Sequence, residues 1–197
     1  MASQKANIKT LANFAYELGT LRKIIRAHRQ VFITDDTSDN IASHSFRVAI
    51  IGWFLAKSEK VDPYKVLLMC LVHDMSEARS NDLNWVHKKY VKVFEEEITS
   101  AQLNGLPFED DLANTLTEYN NRQTKEAKIA KDADLLDQIL LIEEYAYQGN
   151  EEAKSWRKGK GSHQKKLFSK TAQKLARAVK SQKPSEWWSK VWTSNRR

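Results

Sequence analysis

The chain has 197 residues, 41% of them hydrophobic, with six Gly and three Pro, which suits one well-filled core and an all-α fold rather than a sheet protein. Its net charge of +7 is unevenly spread: residues 154–197 carry fourteen Lys and Arg against Glu186 alone, and residues 1–153 carry eighteen basic and twenty-four acidic side chains. There is no apolar run of about 18 residues and no apolar core with a small-residue cleavage site near the N-terminus, so a membrane span and a secretory signal are not expected and a cytosolic protein is.

Helical periodicity predicts segments near 7–27, 39–58, 63–78, 84–100, 107–121, 125–148 and 163–181. The first contains the basic run Arg22-Lys23-Ile24-Ile25-Arg26, whose arginines read as a solvated face, and is followed by His28, read as a surface histidine. The second, headed by Ser38-Asp39-Asn40, places His44 on the same face as Ile41, Val48, Ile51 and Leu55, so the imidazole points inward. The third starts at Asp62-Pro63, an N-cap with proline at the first helical position. It then runs almost unbroken in apolar residues from Val66 to Met75, interrupted by His73 and Asp74. Cys70, the single cysteine, excludes an internal disulfide and reads as a packed small hydrophobe. In the fourth, Trp85 and Tyr90 should pack and His87 should face solvent.

The sixth segment sets Ala127, Ala130, Asp134, Asp137 and Leu141 on one side. Asp132, Asp137, Glu143 and Glu144 most simply form its exposed face, although Asp137, three residues from Asp134, is also placed to support a metal from behind. In the last segment Leu167, Ala172, Leu175 and Val179 recur at helical spacing, with Trp187, Trp188 and Trp192 as packing anchors. The predicted organisation is a helical core over 1–150 with a basic helical extension over 151–197 packed on it. The mixture of basic and aromatic residues there also allows nucleic-acid contact, although charge runs are usually solvated faces.

Carboxylates and imidazoles on buried helix faces are costly without a compensating partner. His44, His73, Asp74 and Asp134 share this property. Taken singly, each is also explained as a hydrogen-bonded core histidine or a surface acid. Together, nitrogen and carboxylate donors without a thiolate suit one divalent ion such as manganese, cobalt, nickel, iron, zinc or magnesium, held between helices of a bundle. The ligand types do not select among these ions. The chain has no glycine-rich phosphate loop, GxSxG elbow, CxxC pair or internal repeat, which removes several other enzyme classes.

The order His, His-Asp, Asp, with separations of 29 and 60 residues, resembles the HD-domain metal-dependent phosphohydrolase superfamily. The segments Ser43-His44-Ser45-Phe46-Arg47, His73-Asp74-Met75-Ser76-Glu77-Ala78-Arg79-Ser80-Asn81-Asp82 and Lys131-Asp132-Ala133-Asp134 are similar to its small 5'-deoxynucleotidase branch, over roughly residues 10–150. The resemblance implies His44, His73, Asp74 and Asp134 as metal ligands, Glu77 and Asp82 as catalytic acids, and Arg29 as the substrate-contacting arginine. Arg79 is a further candidate anion contact, although a helix-end arginine more often satisfies carbonyls or a surface acid. It also implies a nucleotide or other phosphomonoester as substrate, and makes a homodimer plausible. Asn81 stands where the branch has Gly, and Gln30 where it has Trp, leaving deoxy or ribo preference open. Hydrolysis of another phosphorylated metabolite or a nucleotide polyphosphate, or a regulatory or nucleic-acid-binding use of the scaffold, remain the alternatives.

Overall fold

The computed structural model describes residues 7–159, 163–189 and 191. Among them there is no strand, only an isolated antiparallel bridge between Ile25 and Asn40, and the architecture is all-α. No helix among them is long and apolar enough to cross a membrane.

Seven of the described helices begin where a side chain accepts the first orphaned N–H groups. Asn7 caps α1 (Ile8–Leu18), Asn40 caps α3 (Ile41–Glu59), and Asp62 caps α4 (Pro63–Val72), which has proline in its first turn. Asn84 caps α6 (Trp85–Tyr90), Thr124 caps α9 (Lys125–Tyr147), Asn150 caps α10 (Glu151–Lys158), and Ser169 caps α11 (Lys170–Ser181). Each such cap contributes about 1 kcal/mol. The remaining helices are α2 (His28–Phe32), α5 (Glu77–Ser80), α7 (Glu95–Leu103), α8 (Glu109–Asn121) and α12 (Glu186–Ser189).

Several expected helices are interrupted. The first ends at Leu18 and continues as a 3-10 turn, Gly19–Lys23. The chain then extends, so that Ile25 bridges Asn40 and Arg26 N–H donates to the Asp39 carbonyl at 2.9 Å. The third breaks after Val72 to form α5, and the fourth splits into α6 and α7. The last two breaks build the rim of the cleft described below.

α3, α4 and α9 pack around a shared core of Val48, Leu55, Val66, Met69, Ala130, Ala133 and Leu136. Gly52 allows α3 to approach α4, since a Cβ there would lie 2.6 Å from Cys70 Sγ and 3.2 Å from Val66 Cγ1. A second cluster joins Phe32 of α2 to Leu141, Ile142 and Tyr145 of α9 and Ala153 of α10. A third gathers Met75, Leu103, Leu106 and Leu116, against which Phe14 and Leu18 of α1 pack.

The C-terminal segment enters the main core through Leu167, Ala172 and Ala176. Leu175 is exposed instead, because the buried stripe of α11 runs through Ala176. The Asp132 carboxylate secures this segment by accepting from Phe168 N and Ser169 N, both at 2.7 Å.

Asp132, Asp137 and Glu143 are therefore buried rather than on an exposed face, each meeting donors from elsewhere in the chain: Asp132 these amides, Asp137 three side chains described below, and Glu143 the Arg157 guanidinium at 3.2 Å. Glu144 is half-buried against Arg47 at 2.7 Å. Trp187 and Trp188 are exposed rather than packed, and Trp192 lies outside the described residues. On α6 the expectation is also reversed: Trp85 and Tyr90 are exposed, although Trp85 stacks on Trp156 at 4.4 Å, while His87 is partly buried.

Candidate metal centre

α3 delivers His44 from its first turn, the end of α4 delivers His73 and Asp74, and the middle of α9 delivers Asp134. His44 Nε2 lies 3.4 Å from His73 Nε2, 3.4 Å from Asp74 Oδ2 and 3.4 Å from Asp134 Oδ1. His73 Nε2 lies 3.1 Å from Asp74 Oδ2 and 4.0 Å from Asp134 Oδ1. Donor atoms of His44, His73 and Asp134 all fall within 4.8 Å of one another, and Asp74 joins them through its approach to the two imidazoles.

Backbone and carboxylate partners set both histidine tautomers. His73 Nδ1–H donates to the Cys70 carbonyl at 2.9 Å, and His44 Nδ1–H donates to Asp137 Oδ2 at 2.6 Å. Both Nε2 lone pairs are thereby turned into the same space, as metal-binding imidazoles require. Donors held about 2.0–2.2 Å from an ion must sit 3 Å or more from each other, as these do. Burial opposes ionisation of Asp74 and Asp134. The first is nevertheless held well below the usual carboxylate range by His73 and by hydrogen bonding with His44, the second by Lys131 and His44. Burial and the Arg26 charge oppose protonation of His44, but Asp134, Asp137 and Asp74 draw positive charge onto it. A divalent cation supplies that charge without filling the Nε2 lone pairs with protons, so the donor set fits one.

Asp137 is the pivot behind the centre. At 1% exposure it accepts from His44, from Arg26 Nη1 at 3.2 Å and from Arg47 Nε. Arg26 is 6% exposed and also faces Asp39 at 3.6 Å, rather than forming a solvated helix face. The sequence carried a signal for this group, since Arg47 follows His44, and Asp137 follows Asp134, by one helical turn. His28 is likewise not a surface residue. Burial and the Arg26 charge push its pKa down to about 3, and Gln138 meets its Nε2 at 3.0 Å.

His73, Asp74 and Asp134 open into a cleft of about 430 Å³ that Glu77, Lys88, Lys92, Tyr119, Arg122 and Lys131 also line. Glu77 Oε2 is buried with no hydrogen-bond partner among the described residues. Burial, then the charges of Asp74 and Asp82, raise its pKa to about 9.

The other expected residues lie elsewhere. Asp82 accepts from Ala27 N at 2.6 Å, fixing the start of α2. Arg29 is half exposed and pairs with Asp35 at 3.2 Å, on a separate surface recess. Arg79 grips Glu17 of α1 through two bonds at 2.6 and 2.9 Å. Neither arginine lines the cleft, because the interruption of the first helix turns Arg26, not Arg29, inward, and α5 presents Arg79 to α1. A larger groove of about 740 Å³ between α7 and α8 is lined by Glu95, Glu96, Glu97, Glu109 and Asp110; it contains neither histidine nor lysine and repels anions.

The model of an HD domain matches residues 18–177. The chain belongs to the HD-domain family. HD domains depend on divalent metal, and the His-His-Asp set required to hold it is present here. The 5'-deoxynucleotidase HDDC2 of Dictyostelium discoideum is 28% identical over 129 residues, 56% of this chain and 64% of that protein. The HD chain thus spans less than two thirds of that relative. A conserved hypothetical protein from Pyrococcus furiosus shares the fold with TM-score 0.71 at 24% identity, covering 87% of this chain and 99% of that one. So does an HD phosphohydrolase of cyanophage S-2L bound to dA and one catalytic Zn2+ ion, with TM-score 0.51 at 19% identity, covering 85% and 96%.

Proposed function

We propose that this protein is a divalent-metal-dependent phosphohydrolase that releases phosphate from (deoxy)nucleoside 5'-monophosphates, with His44, His73, Asp74 and Asp134 holding the metal. The observation that carries this reading is the convergence of two Nε2 lone pairs and two carboxylates at the end of a cleft that also holds a buried, unpartnered Glu77. The HDDC2 relatives, named as 5'-deoxynucleotidases, and the phage enzyme seen with a deoxynucleoside and zinc support it.

In the overall reaction, water oxygen forms a bond to phosphorus as the ester P–O bond breaks. The alcohol leaves with one proton, and inorganic phosphate is released. A bound divalent cation supplies a lowered water pKa and neutralisation of phosphoryl charge. The protein supplies position and protons. Asp137 and the Cys70 carbonyl hold the two imidazoles in their required tautomers. Lys131 pairs with Asp134 and places a positive charge at the cleft wall. Glu77, four residues beyond His73, lines the same cleft with a buried, unpartnered Oε2 and would take a proton from the attacking water or give one to the leaving oxygen. Asp82 acts on Glu77 through its charge, which raises the Glu77 pKa, and holds the start of α2 by accepting from Ala27 N.

The test is metal content together with phosphate release from AMP and dAMP, for the wild type and Asp74→Ala. Loss of one of four ligands should lower metal occupancy and reduce turnover by about 100-fold or more. Full activity in the variant would overturn the ligand assignment, and absence of phosphate release from either nucleotide by the metal-loaded wild type would overturn the substrate class.

A further inference from the structure

Six residues other than glycine have positive φ among the described residues, and five of them, Ile33, Lys60, Phe108, Arg122 and His163, fall in the left-handed helical well. Asn81 does not. At φ +59° and ψ +164° it occupies backbone space that is open to glycine and closed to almost every side chain. The tolerance of asparagine for the left-handed well brings no relief there, since that well lies at about ψ +47°.

The turn itself needs only a glycine. Asn81 N–H donates to the Glu77 carbonyl at 2.9 Å, which closes α5, and its carbonyl accepts from Ser80 Oγ at 3.1 Å. The chain then turns so that the next side chain, Asp82, accepts from Ala27 N at 2.6 Å. All of these bonds are made by the backbone of residue 81 or by its neighbours, so glycine would keep them without steric cost. What glycine lacks is the carboxamide. Asn81 is exposed, and its carboxamide has no hydrogen-bond partner among the described residues, so the strain secures no contact within the protein.

Asn81 does line the cleft, together with Glu77 and the metal-side His73 and Asp134, while Leu83 and Val93 add apolar surface to the same lining. A phosphomonoester at the metal corner offers the rest of its molecule to that lining. In a nucleotide the rest is a sugar with hydroxyls and a base with polar edges and apolar faces. A carboxamide carries donors and an acceptor, so it matches either group, and strain at a residue without an internal partner is explained when the substrate is that partner. We propose that Asn81 is a specificity-determining residue, its side chain hydrogen-bonding the nucleoside part of the substrate while the phosphate lies at the metal corner. This rests on the phosphohydrolase reading and deepens it. The partner atoms belong either to the sugar or to the base.

The experiment measures kcat/KM for AMP, ribose 5-phosphate and p-nitrophenyl phosphate on the manganese-loaded full chain, in the wild type, Asn81→Gly and Asn81→Ala, with urea unfolding of each. Relative to p-nitrophenyl phosphate, AMP should lose about 10-fold in both variants, chiefly through KM. Asn81→Gly should at the same time raise the urea midpoint, because glycine relieves the backbone, whereas Asn81→Ala should not. A loss shared by ribose 5-phosphate assigns the contact to the sugar, and a loss confined to AMP assigns it to the base. An AMP ratio that neither substitution changes overturns the proposal. So does a lowered midpoint in Asn81→Gly, which would make the asparagine a structural residue. If AMP is not hydrolysed, the nucleotidase reading falls, and Asn81 is judged by calorimetric titration with adenosine. Binding weakened in both variants sustains the contact; equal or undetectable binding in all three proteins overturns it.

Discussion

The two sides of the cleft are built from the same kinds of charged residue and treat them in opposite ways. Behind the metal corner, Arg26, His44 and Asp137 are at most 6% exposed, and Asp137 meets three donors at once. Elsewhere in the cleft lining, Lys88, Lys92 and Arg122 are exposed. Buried polar groups are costly unless matched, and once matched they hold their neighbours to one geometry. Solvated cations cost little to leave unpaired and remain available to an incoming anion. The back wall is thus suited to placing an ion, and the front to capturing what the ion acts on.

The sharpest way to break this comparison is at Asp137. Asp137→Ala leaves two guanidinium groups facing a buried space without their common acceptor and should cost about 3–5 kcal/mol in denaturant unfolding. It also frees the His44 tautomer and should weaken metal binding by about 10–100-fold. Asp137→Asn keeps the shape while removing the charge, so its loss in metal titration should outlast its smaller loss in stability. An unfolding curve for Asp137→Ala that overlays the wild type would mean that the network does not hold the back wall.

A smaller effect is expected one layer deeper. Gly52→Ala drives a Cβ to 2.6 Å from Cys70 Sγ, an overpacking cost of about 1–3 kcal/mol that outweighs the helix-propensity gain of about 1 kcal/mol. Because the severest overlap is with Cys70 Sγ and the approach to Val66 Cγ1, at 3.2 Å, is milder, Cys70→Ala in the same chain should recover part of it. A double-mutant cycle should therefore show a coupling of about 0.5 kcal/mol or more. Strict additivity would show that α3 and α4 shift apart rather than clash.

The convergence of His44, His73, Asp74 and Asp134 was legible in the sequence because each member interrupts an apolar helical stripe, and a stripe encodes which way its members face. The same rule was available for Asp137, whose offset from Asp134 is one turn. There, acidity argued for an exposed face, and Arg26, the partner that makes burial tolerable, lies 111 residues away. Asp132 was misread for a related reason, since its donors are backbone amides 36 and 37 residues downstream. The break after Leu18 carries no proline, but Gly19, the C-cap of α1, marked it locally; the periodic reading ran past that glycine, and with it went the choice between Arg26 and Arg29. The front wall was the least legible part. Its cations lie on a short helix, a linker and a helix end, where no periodicity says which way a lysine points.

The mildest test concerns Arg79, a candidate anion contact whose helix-end position equally suited a surface acid, and which the fold places against Glu17 of α1. Arg79 and Glu17 are partly exposed, so Arg79→Ala should cost only about 0.2–1 kcal/mol after solvent screening, read as a small shift in the urea midpoint. The Arg79 hydrogen bond lowers the Glu17 pKa; burial opposes this and Gln102 adds to it. A carboxyl with a lowered folded pKa stabilises above its unfolded value and loses that contribution as pH falls through the lowered one. The two proteins should therefore differ near neutrality and converge in acid, with KM for nucleotide unchanged. A KM rise of about 10-fold or more would instead assign Arg79 to an anion, and would require α5 to turn during binding and release Glu17.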